Sequence, residues 1–123
     1  MPRSRPTVLV VEDDAIIALD MKSMLEQCGC AVMGPASSIE RALTLLESET
    51  PDAGVLDINL REERIWPVAR ALHERGTPFV LASGYSRVEV DPAFQAAPLL
   101  SKPVLISDIR RGLARIGILK DGG

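Results

Sequence analysis

The chain carries acidic, hydroxyl and lysine side chains directly after short apolar segments. Asp57 ends the apolar run 53–56, and Glu12 and Asp13 follow the apolar run 7–11. Ser83 and Lys102 follow two later segments of the same kind. The carboxyl ends of parallel strands meet at one edge of a sheet, where open α/β folds bind their ligands. Carboxylates, a hydroxyl and a lysine at such an edge suit the binding of a divalent cation and the transfer of a phosphoryl group to a carboxylate.

Strands and helices that could position these residues alternate along the chain. Short apolar, β-branched or turn-bounded runs predict five strands, at residues 7–11, 31–33, 53–57, 78–82 and 99–101. A first helix should begin after Asp13 or Asp14 as its N-cap and end at Gly29. The pattern Ser37-x-x-Glu40 predicts a capping box at the start of a second helix.

Two further helices complete the predicted pattern. A loop at residues 58–64 should connect the third strand to the third helix. Pro67 fits the first turn of that helix, which should bury Val68, Ala69 and Leu72. Four apolar residues at helical spacing predict the last helix: Leu105, Ile109, Leu113 and Ile116. Residues 83–98 have poor periodicity and contain a proline, so the helix between the fourth and fifth strands should be short or irregular.

The alternation predicts a doubly wound α/β fold of the flavodoxin-like type. Its five-stranded parallel sheet should have the order 2-1-3-4-5, with helices on both faces. This order would place Asp13 beside Asp57, with Ser83 and Lys102 flanking them. Each of these residues alone is more often a charged loop residue, a turn residue or a solvated lysine. Their common place at strand ends favours a functional site.

Length and composition predict a single soluble domain. The chain has 123 residues, of which 46% are hydrophobic and 25% charged. We expect a flexible arm at residues 1–6, the domain at residues 7–118 and a tail at residues 119–123. The net charge of −3 argues against a general nucleic-acid-binding surface. No apolar run approaches the ~18–20 residues that span a bilayer, so we expect a cytoplasmic protein that does not bind membranes.

Two scarce residue types exclude other kinds of site. The only histidine, His73, leaves no basis for the usual histidine-centred triads or histidine-rich metal sites. Cys28 and Cys30 are too close in sequence to form a favourable disulfide with each other and are expected as free, partly buried thiols.

Four short motifs in this order resemble the receiver domain of two-component response regulators. They end the first, third, fourth and fifth predicted strands: Val10-Val11-Glu12-Asp13, Leu56-Asp57, Ala82-Ser83-Gly84 and Leu100-Ser101-Lys102-Pro103. The resemblance extends over about residues 7–116. The run Phe79-Val80-Leu81-Ala82-Ser83-Gly84-Tyr85 is similar to the F-A-T-G-Y signature of a receiver subclass whose members often stand alone. Members of that subclass pair with a distinctive group of sensor histidine kinases.

The resemblance implies a Mg²⁺ site made of four residues. Asp13 and Asp57 would bind the ion through their carboxylates, and Glu12 would contribute through bound water. The backbone carbonyl of Asn59 would be a further ligand. Asp14 is assigned instead to capping the first helix.

The resemblance also implies the residues of phosphoryl transfer. Asp57 would be the phosphoacceptor, Ser83 would hydrogen-bond to the phosphoryl oxygens, and Lys102 would pair with them. A cis peptide bond is expected before Pro103. The catalysis would be limited to phosphorylation and hydrolysis at the protein's own Asp57, so the protein is not expected to be an enzyme in the wider sense.

As a function, the resemblance implies a phosphorylated signalling protein. A sensor histidine kinase or phosphotransfer protein would phosphorylate Asp57, and residues 84–98 with the last helix would change conformation and contact a downstream protein. Leu99 occupies a position that is often aromatic in the family, so Tyr85 is the expected aromatic residue of the switch. We expect a monomer or weak homodimer.

Three alternative functions fit the sequence less well. An unphosphorylated receiver-like interaction module would not need the full set of acceptor, acidic and lysine residues. An aspartyl-phosphate phosphatase similar to haloacid dehalogenases would carry D-x-D after the first strand, where this chain has Glu12-Asp13-Asp14. A flavin-binding module is disfavoured because an acidic loop after the first strand repels phosphate.

Overall fold

A five-stranded parallel sheet forms the centre of the computed structural model, which describes residues 5–84 and 90–119. The strands are β1 (Thr7–Val11), β2 (Ala31–Ala36), β3 (Ala53–Asp57), β4 (Phe79–Ser83) and β5 (Leu99–Ser101). Their order is β2-β1-β3-β4-β5, and every neighbouring pair is parallel. This confirms the predicted sheet. The three central strands are rich in β-branched and leucine side chains because both faces of the sheet are covered.

Four helices cover the two faces of the sheet: α1 (Ala15–Gln27), α2 (Ile39–Ser48), α3 (Trp66–Glu74) and α4 (Ile106–Arg115). One apolar cluster joins α2 and α3 to the sheet through residues such as Leu46 and Leu72. A second joins α1 and α4 to the opposite face through residues such as Leu25 and Leu113. The chain is therefore doubly wound, as predicted. None of the helices in the described ranges is long and apolar enough to cross a membrane.

The start of α2 differs from the prediction, which placed a capping box at Ser37. The N-cap is Ser38, whose hydroxyl accepts a hydrogen bond from the backbone N–H of Arg41 at 3.1 Å. The helix begins one residue later than predicted because β2 continues to Ala36. Arg41 then occupies the third helical position, so Glu40 is not placed to return a hydrogen bond to the cap.

The strand β2 extends three residues beyond the predicted end at Met33. Gly34 has φ +95°, and a Cβ there would lie 2.7 Å from the backbone nitrogen of Ala36, so glycine is required at this position. The Gly34–Pro35 peptide is cis. The extension positions the end of β1, because the N–H of Glu12 donates to the carbonyl of Ala36 at 3.0 Å.

The connection between β3 and α3 was predicted as a loop and contains a short antiparallel hairpin. Its two strands, Asn59–Leu60 and Glu63–Arg64, are joined by Arg61 and Glu62. The base of the hairpin is held in the core, since Ile58 and Ile65 are fully buried and the N–H of Ile65 donates to the carbonyl of Ile58 at 3.0 Å.

The segment before β5 contains no full helix in its described part, residues 90–98. Its one helical element is a 3₁₀ turn, Pro92–Phe94, which fits the predicted short or irregular helix. Phe94 is buried and its ring contacts the rings of Trp66, His73 and Phe79, at centroid distances of 5.6–6.0 Å. Tyr85, the predicted switch aromatic, lies outside the described residues.

The last helix contains Ile109 and Leu113 as predicted and buries both. The prediction that it also contains Leu105 and Ile116 was wrong, because these residues are its N-cap and C-cap. Leu105 precedes the helix and its side chain is 60% exposed. The backbone there is extended, and its N–H donates to a carboxylate oxygen of Asp108 at 3.0 Å. The helical spacing of apolar residues therefore extends to Leu105, one residue before the helix begins.

Candidate functional site

The register of the sheet aligns the strand ends that carry the predicted site residues. Val11 pairs with Leu56, so Glu12 follows β1 beside the position where Asp57 ends β3. Asp57 in turn pairs with Ala82, the residue before Ser83. On the far side Ser83 pairs with Ser101, directly before Lys102. All four strands therefore place a polar residue at the same edge.

Three carboxylates form the centre of this edge. Glu12, Asp13 and Asp57 each offer a carboxylate oxygen, and these oxygens lie within 4.8 Å of one another. Glu12 is 3% exposed and Asp57 5% exposed, so water screens their repulsion poorly. At ~4 Å and an effective dielectric near 20, a pair of like charges repels by about 4 kcal/mol. The cluster therefore requires positive charge.

Lys102 supplies part of that positive charge. Its ammonium nitrogen lies 2.8 Å from a Glu12 carboxylate oxygen and 3.1 Å from Oδ2 of Asp57. The backbone holds this lysine in place, because its N–H donates to the carbonyl of Ser83 at 2.9 Å. The following peptide bond, Lys102–Pro103, is cis, as expected from the resemblance.

The pKa values of the paired groups move in directions that follow from burial and contact. Burial raises the pKa of Glu12, and the hydrogen bond from Lys102 opposes that rise without cancelling it. Burial alone would lower the pKa of Lys102, but the hydrogen bond to Glu12 and the charge of Asp57 outweigh it, so the lysine pKa is raised. Lys102 is consequently charged throughout the neutral pH range.

Backbone N–H groups orient the acidic side chains. The N–H of Asn59 donates to Oδ1 of Asp57 at 3.3 Å, and the N–H of Asp14 donates to Glu12 at 3.1 Å. Asp14 itself points away from the cluster and caps α1, accepting from the N–H groups of Ile16 and Ile17 at 2.9 and 3.0 Å. Asp14 is thus the N-cap of α1, as expected, while Asp13 has a carboxylate oxygen close to those of Glu12 and Asp57. That Asp13 binds a cation stays a prediction.

One charged residue at the site was not identified from the sequence. Nε of Arg61 lies 3.5 Å from Oδ2 of Asp13, so a second cation reaches the acidic cluster. The contact depends on the hairpin after β3, which was predicted as a loop. The turn residues are Arg61 and Glu62, and the Asn-Gly or Asp-Gly pair that usually predicts such a hairpin is absent from the turn.

The donor set fits a hard divalent cation. All three candidate side-chain ligands are carboxylates, they come from two adjacent strand ends, and their oxygens already lie close enough to share one ion. Few protein oxygens in an open position are typical of Mg²⁺, which keeps several waters. Together the fold and this edge define a doubly wound α/β protein with an acidic site paired to a lysine.

The comparisons with known proteins agree with that class. Residues 8–113 match the family model of the response regulator receiver domain. The transcriptional regulatory protein PdtaR of Mycobacterium tuberculosis is 31% identical over 106 residues, which cover 83% of this chain and 52% of PdtaR. The chain thus spans about half the length of that curated relative.

Solved structures give the same result. The solution structure of SdrG from Sphingomonas melonis Fr1 superposes with a TM-score of 0.81 and 36% identity, covering 92% of this chain and 97% of SdrG. The BeF₃-activated conformation of SdrG from Pseudomonas melonis Fr1 superposes with a TM-score of 0.78 and 34% identity, covering 95% and 100%. The chain belongs to the receiver-domain family of response regulators.

Proposed function

We propose that this receiver accepts a phosphoryl group on Asp57 from a sensor histidine kinase or phosphotransfer protein. Mg²⁺ is required, and the signal passes to a downstream protein through residues 84–98 and α4. The observation that carries the proposal is the contact of one lysine ammonium with both Asp57 and Glu12 inside the carboxylate cluster. This arrangement holds a carboxylate that can act as a nucleophile beside an ammonium group. The ammonium group can then pair with the negative charge of an added phosphoryl group.

In the transfer step, a carboxylate oxygen of Asp57 attacks the phosphorus of a phosphohistidine. A P–O bond forms, the P–N bond breaks, and its electron pair returns to the imidazole nitrogen, which takes up a proton. The product is an acyl phosphate. Asn59, through its N–H, keeps the Asp57 carboxylate oriented before the attack.

Mg²⁺, when bound, neutralises charge on the phosphoryl oxygens and on the carboxylates around them. Asp13 and Asp57 would hold it directly, the backbone carbonyl of Asn59 would add a ligand, and Glu12 would act through a bound water. Glu12 is suited to an indirect role because its carboxylate is already paired with Lys102 at 2.8 Å.

Lys102 and Ser83 respond to the new charge. The phosphoryl group brings roughly −1.5 to −2 units of charge to the site. Lys102 would exchange its contact with the Asp57 carboxylate for one with a phosphoryl oxygen, and the Ser83 hydroxyl would donate to another. Because Lys102 directly follows β5, this exchange acts on the edge strand and on the segment before it.

The phosphodonor must approach the open side of the site, beside the start of α1. Ile16 and Leu19 lie there one helical turn apart and are 74% and 64% exposed. A histidine on a partner can reach Asp57 only if the partner also covers this neighbouring surface. We therefore assign the exposed apolar face of α1 to the kinase or phosphotransfer protein.

Intact-mass analysis tests the assignment of Asp57. The wild-type chain, incubated with acetyl phosphate or a purified sensor kinase and Mg²⁺, should gain one base-labile phosphoryl group. Asp57→Asn should gain none, and chelation of Mg²⁺ should abolish the gain in the wild type. Glu47→Gln is the matched control, since Glu47 is an exposed carboxylate of α2 away from the cluster and from the apolar face of α1. Undiminished labelling of Asp57→Asn would overturn the assignment.

A further inference from the structure

The hairpin after β3 brings a second cation to the acidic cluster. Nε of Arg61 lies 3.5 Å from Oδ2 of Asp13, whose side chain is 19% exposed, whereas the Arg61 side chain is 81% exposed. Within residues 5–84 and 90–119, Lys102 and Arg61 are the basic residues that form ion pairs with the three carboxylates of the cluster. The lysine lies on the buried side of the cluster and the arginine on the solvent side.

The backbone conformation of Arg61 does not favour arginine. The turn alone therefore does not explain why arginine occupies this position, and its side chain does. Its φ is +58°, a left-handed conformation that glycine and asparagine adopt most readily. An arginine there is strained, and strained backbone of this kind persists where the surroundings fix it and is concentrated at functional sites. Leu60, which is 2% exposed, and the buried base of the hairpin hold the backbone of Arg61 in this conformation.

The charges of the cluster show what Arg61 does in the absence of Mg²⁺. Glu12, Asp13 and Asp57 carry three negative charges, and Lys102 with Arg61 offset two of them. Adding a divalent cation while both pairs remain would leave a net positive charge. With Arg61 withdrawn from Asp13, the three carboxylates are balanced by the lysine and the divalent cation. Arg61 and the divalent cation therefore compete for the same carboxylate.

We propose that Arg61 is a displaceable counter-ion of the cation site, which occupies Asp13 until Mg²⁺ replaces it and so sets the Mg²⁺ concentration at which Asp57 becomes reactive. The inference rests on the proposed function, because it concerns the same site. Displacement is easy, since an ion pair with a largely exposed partner is weak. By the same reasoning, loss of Arg61 should tighten Mg²⁺ binding by up to about fivefold.

Mg²⁺ titration of the full chain tests this role, followed by NMR of the backbone amides around Asp13 and Asp57. Arg61→Gln and Arg61→Gly should both bind Mg²⁺ more tightly than the wild type. Arg61→Lys, which keeps the charge, should restore weaker binding. Glycine suits the left-handed backbone, so Arg61→Gly should unfold at a temperature no lower than the wild type, which separates the effect from damage to the fold.

Arg64→Gln is the matched control. Arg64 lies in the same hairpin, is exposed and carries the same charge, yet the described structure gives it no ion pair with the cluster. Its substitution should leave Mg²⁺ affinity near that of the wild type. The Mg²⁺ concentration for half-maximal labelling by acetyl phosphate should fall in the two neutral Arg61 variants and not in Arg64→Gln.

The outcomes separate this inference from the proposed function. If the wild type binds Mg²⁺ and is labelled on Asp57, but Arg61→Gln and Arg64→Gln match in affinity, the role of Arg61 is overturned and the receiver function stands. A wild type that neither binds Mg²⁺ nor accepts a phosphoryl group would overturn both.

Discussion

The two partners of the central contact are Asp57, which ends β3, and Lys102, which directly follows β5. These two strands differ strongly in burial and in pairing. All five residues of β3 are buried, and the strand pairs with β1 on one side and β4 on the other. β5 has three residues, two of them exposed, and within the described residues it pairs with β4 alone. The proposed phosphoacceptor therefore lies on a buried strand paired on both sides, whereas the lysine that contacts it follows a short, exposed strand.

This difference suits a receiver. Chemistry requires a carboxylate whose position does not change, and rigid central strands provide it. A response requires a segment that can rearrange at low cost, and the low-stability parts of a fold are where such segments lie. Because Lys102 contacts Asp57 and directly follows β5, we expect a change in that contact to act on β5.

The largest expected effect comes from removing that link. In Mg²⁺-free buffer, Lys102→Met should lower the free energy of unfolding by about 3 kcal/mol, because Glu12 and Asp57 would remain buried without the ammonium group that contacts both. Denaturant titration measures the loss, and added Mg²⁺ should recover part of it. Lys22→Met on α1 is the control and should change stability little. Equal losses in the two variants would show that the lysine contact does not hold the edge together.

A second prediction separates the two aspartates that follow β1. Asp13→Asn should weaken Mg²⁺ binding by more than about tenfold, since carboxylate count governs affinity at such sites. Asp14→Ala should leave Mg²⁺ affinity near that of the wild type and lower stability by about 1 kcal/mol through loss of the α1 cap. Calorimetric titration and denaturant unfolding of both variants provide the comparison. A similar loss of Mg²⁺ affinity in both would contradict the division of roles.

The smallest effect concerns pH. The pKa of Lys102 is raised above its ordinary value of 10.5, because its two carboxylate partners outweigh burial. A lysine with a raised folded-state pKa stabilises the fold fully below its unfolded pKa, and that stabilisation is lost as pH rises through the folded value. The stability difference between wild type and Lys102→Met should therefore hold up to about pH 10 and shrink above it. A difference already shrinking near pH 8 would mean that burial dominates.

The regions of the molecule also differ in how well they could be predicted from the sequence. The sheet order followed from the alternation of apolar strands with helices. The meeting of Glu12, Asp13, Asp57 and Lys102 followed from that order, because parallel strands place their carboxyl ends at one edge whatever the loops do. The roles assigned to these residues, and the roles of Ser83 and Asn59, stay predictions that the labelling and titration experiments test.

The errors lie where contacts distant in sequence decide the structure. By local pattern Ser37 is the better cap, because Glu40 follows it at capping-box spacing, but the extent of β2 selects Ser38. The position of Arg61 depends on a hairpin anchored by tertiary burial of Leu60, which no turn motif signals. Leu105 continues the helical spacing of α4, but the backbone before the helix is extended and leaves it exposed.

Hydrogen exchange of the full chain tests most directly whether phosphorylation of Asp57, at the end of β3, acts on β5 and the segment before it. The comparison is Mg²⁺ alone against Mg²⁺ with the phosphoryl mimic beryllofluoride, with Asp57→Asn as the control that should show no change. We expect altered protection at residues 84–98 and in β5, and unchanged protection in α2, which packs on the sheet through buried Ala42 and Leu46. Unchanged exchange at residues 84–98, with the response concentrated in α2 or elsewhere, would contradict it.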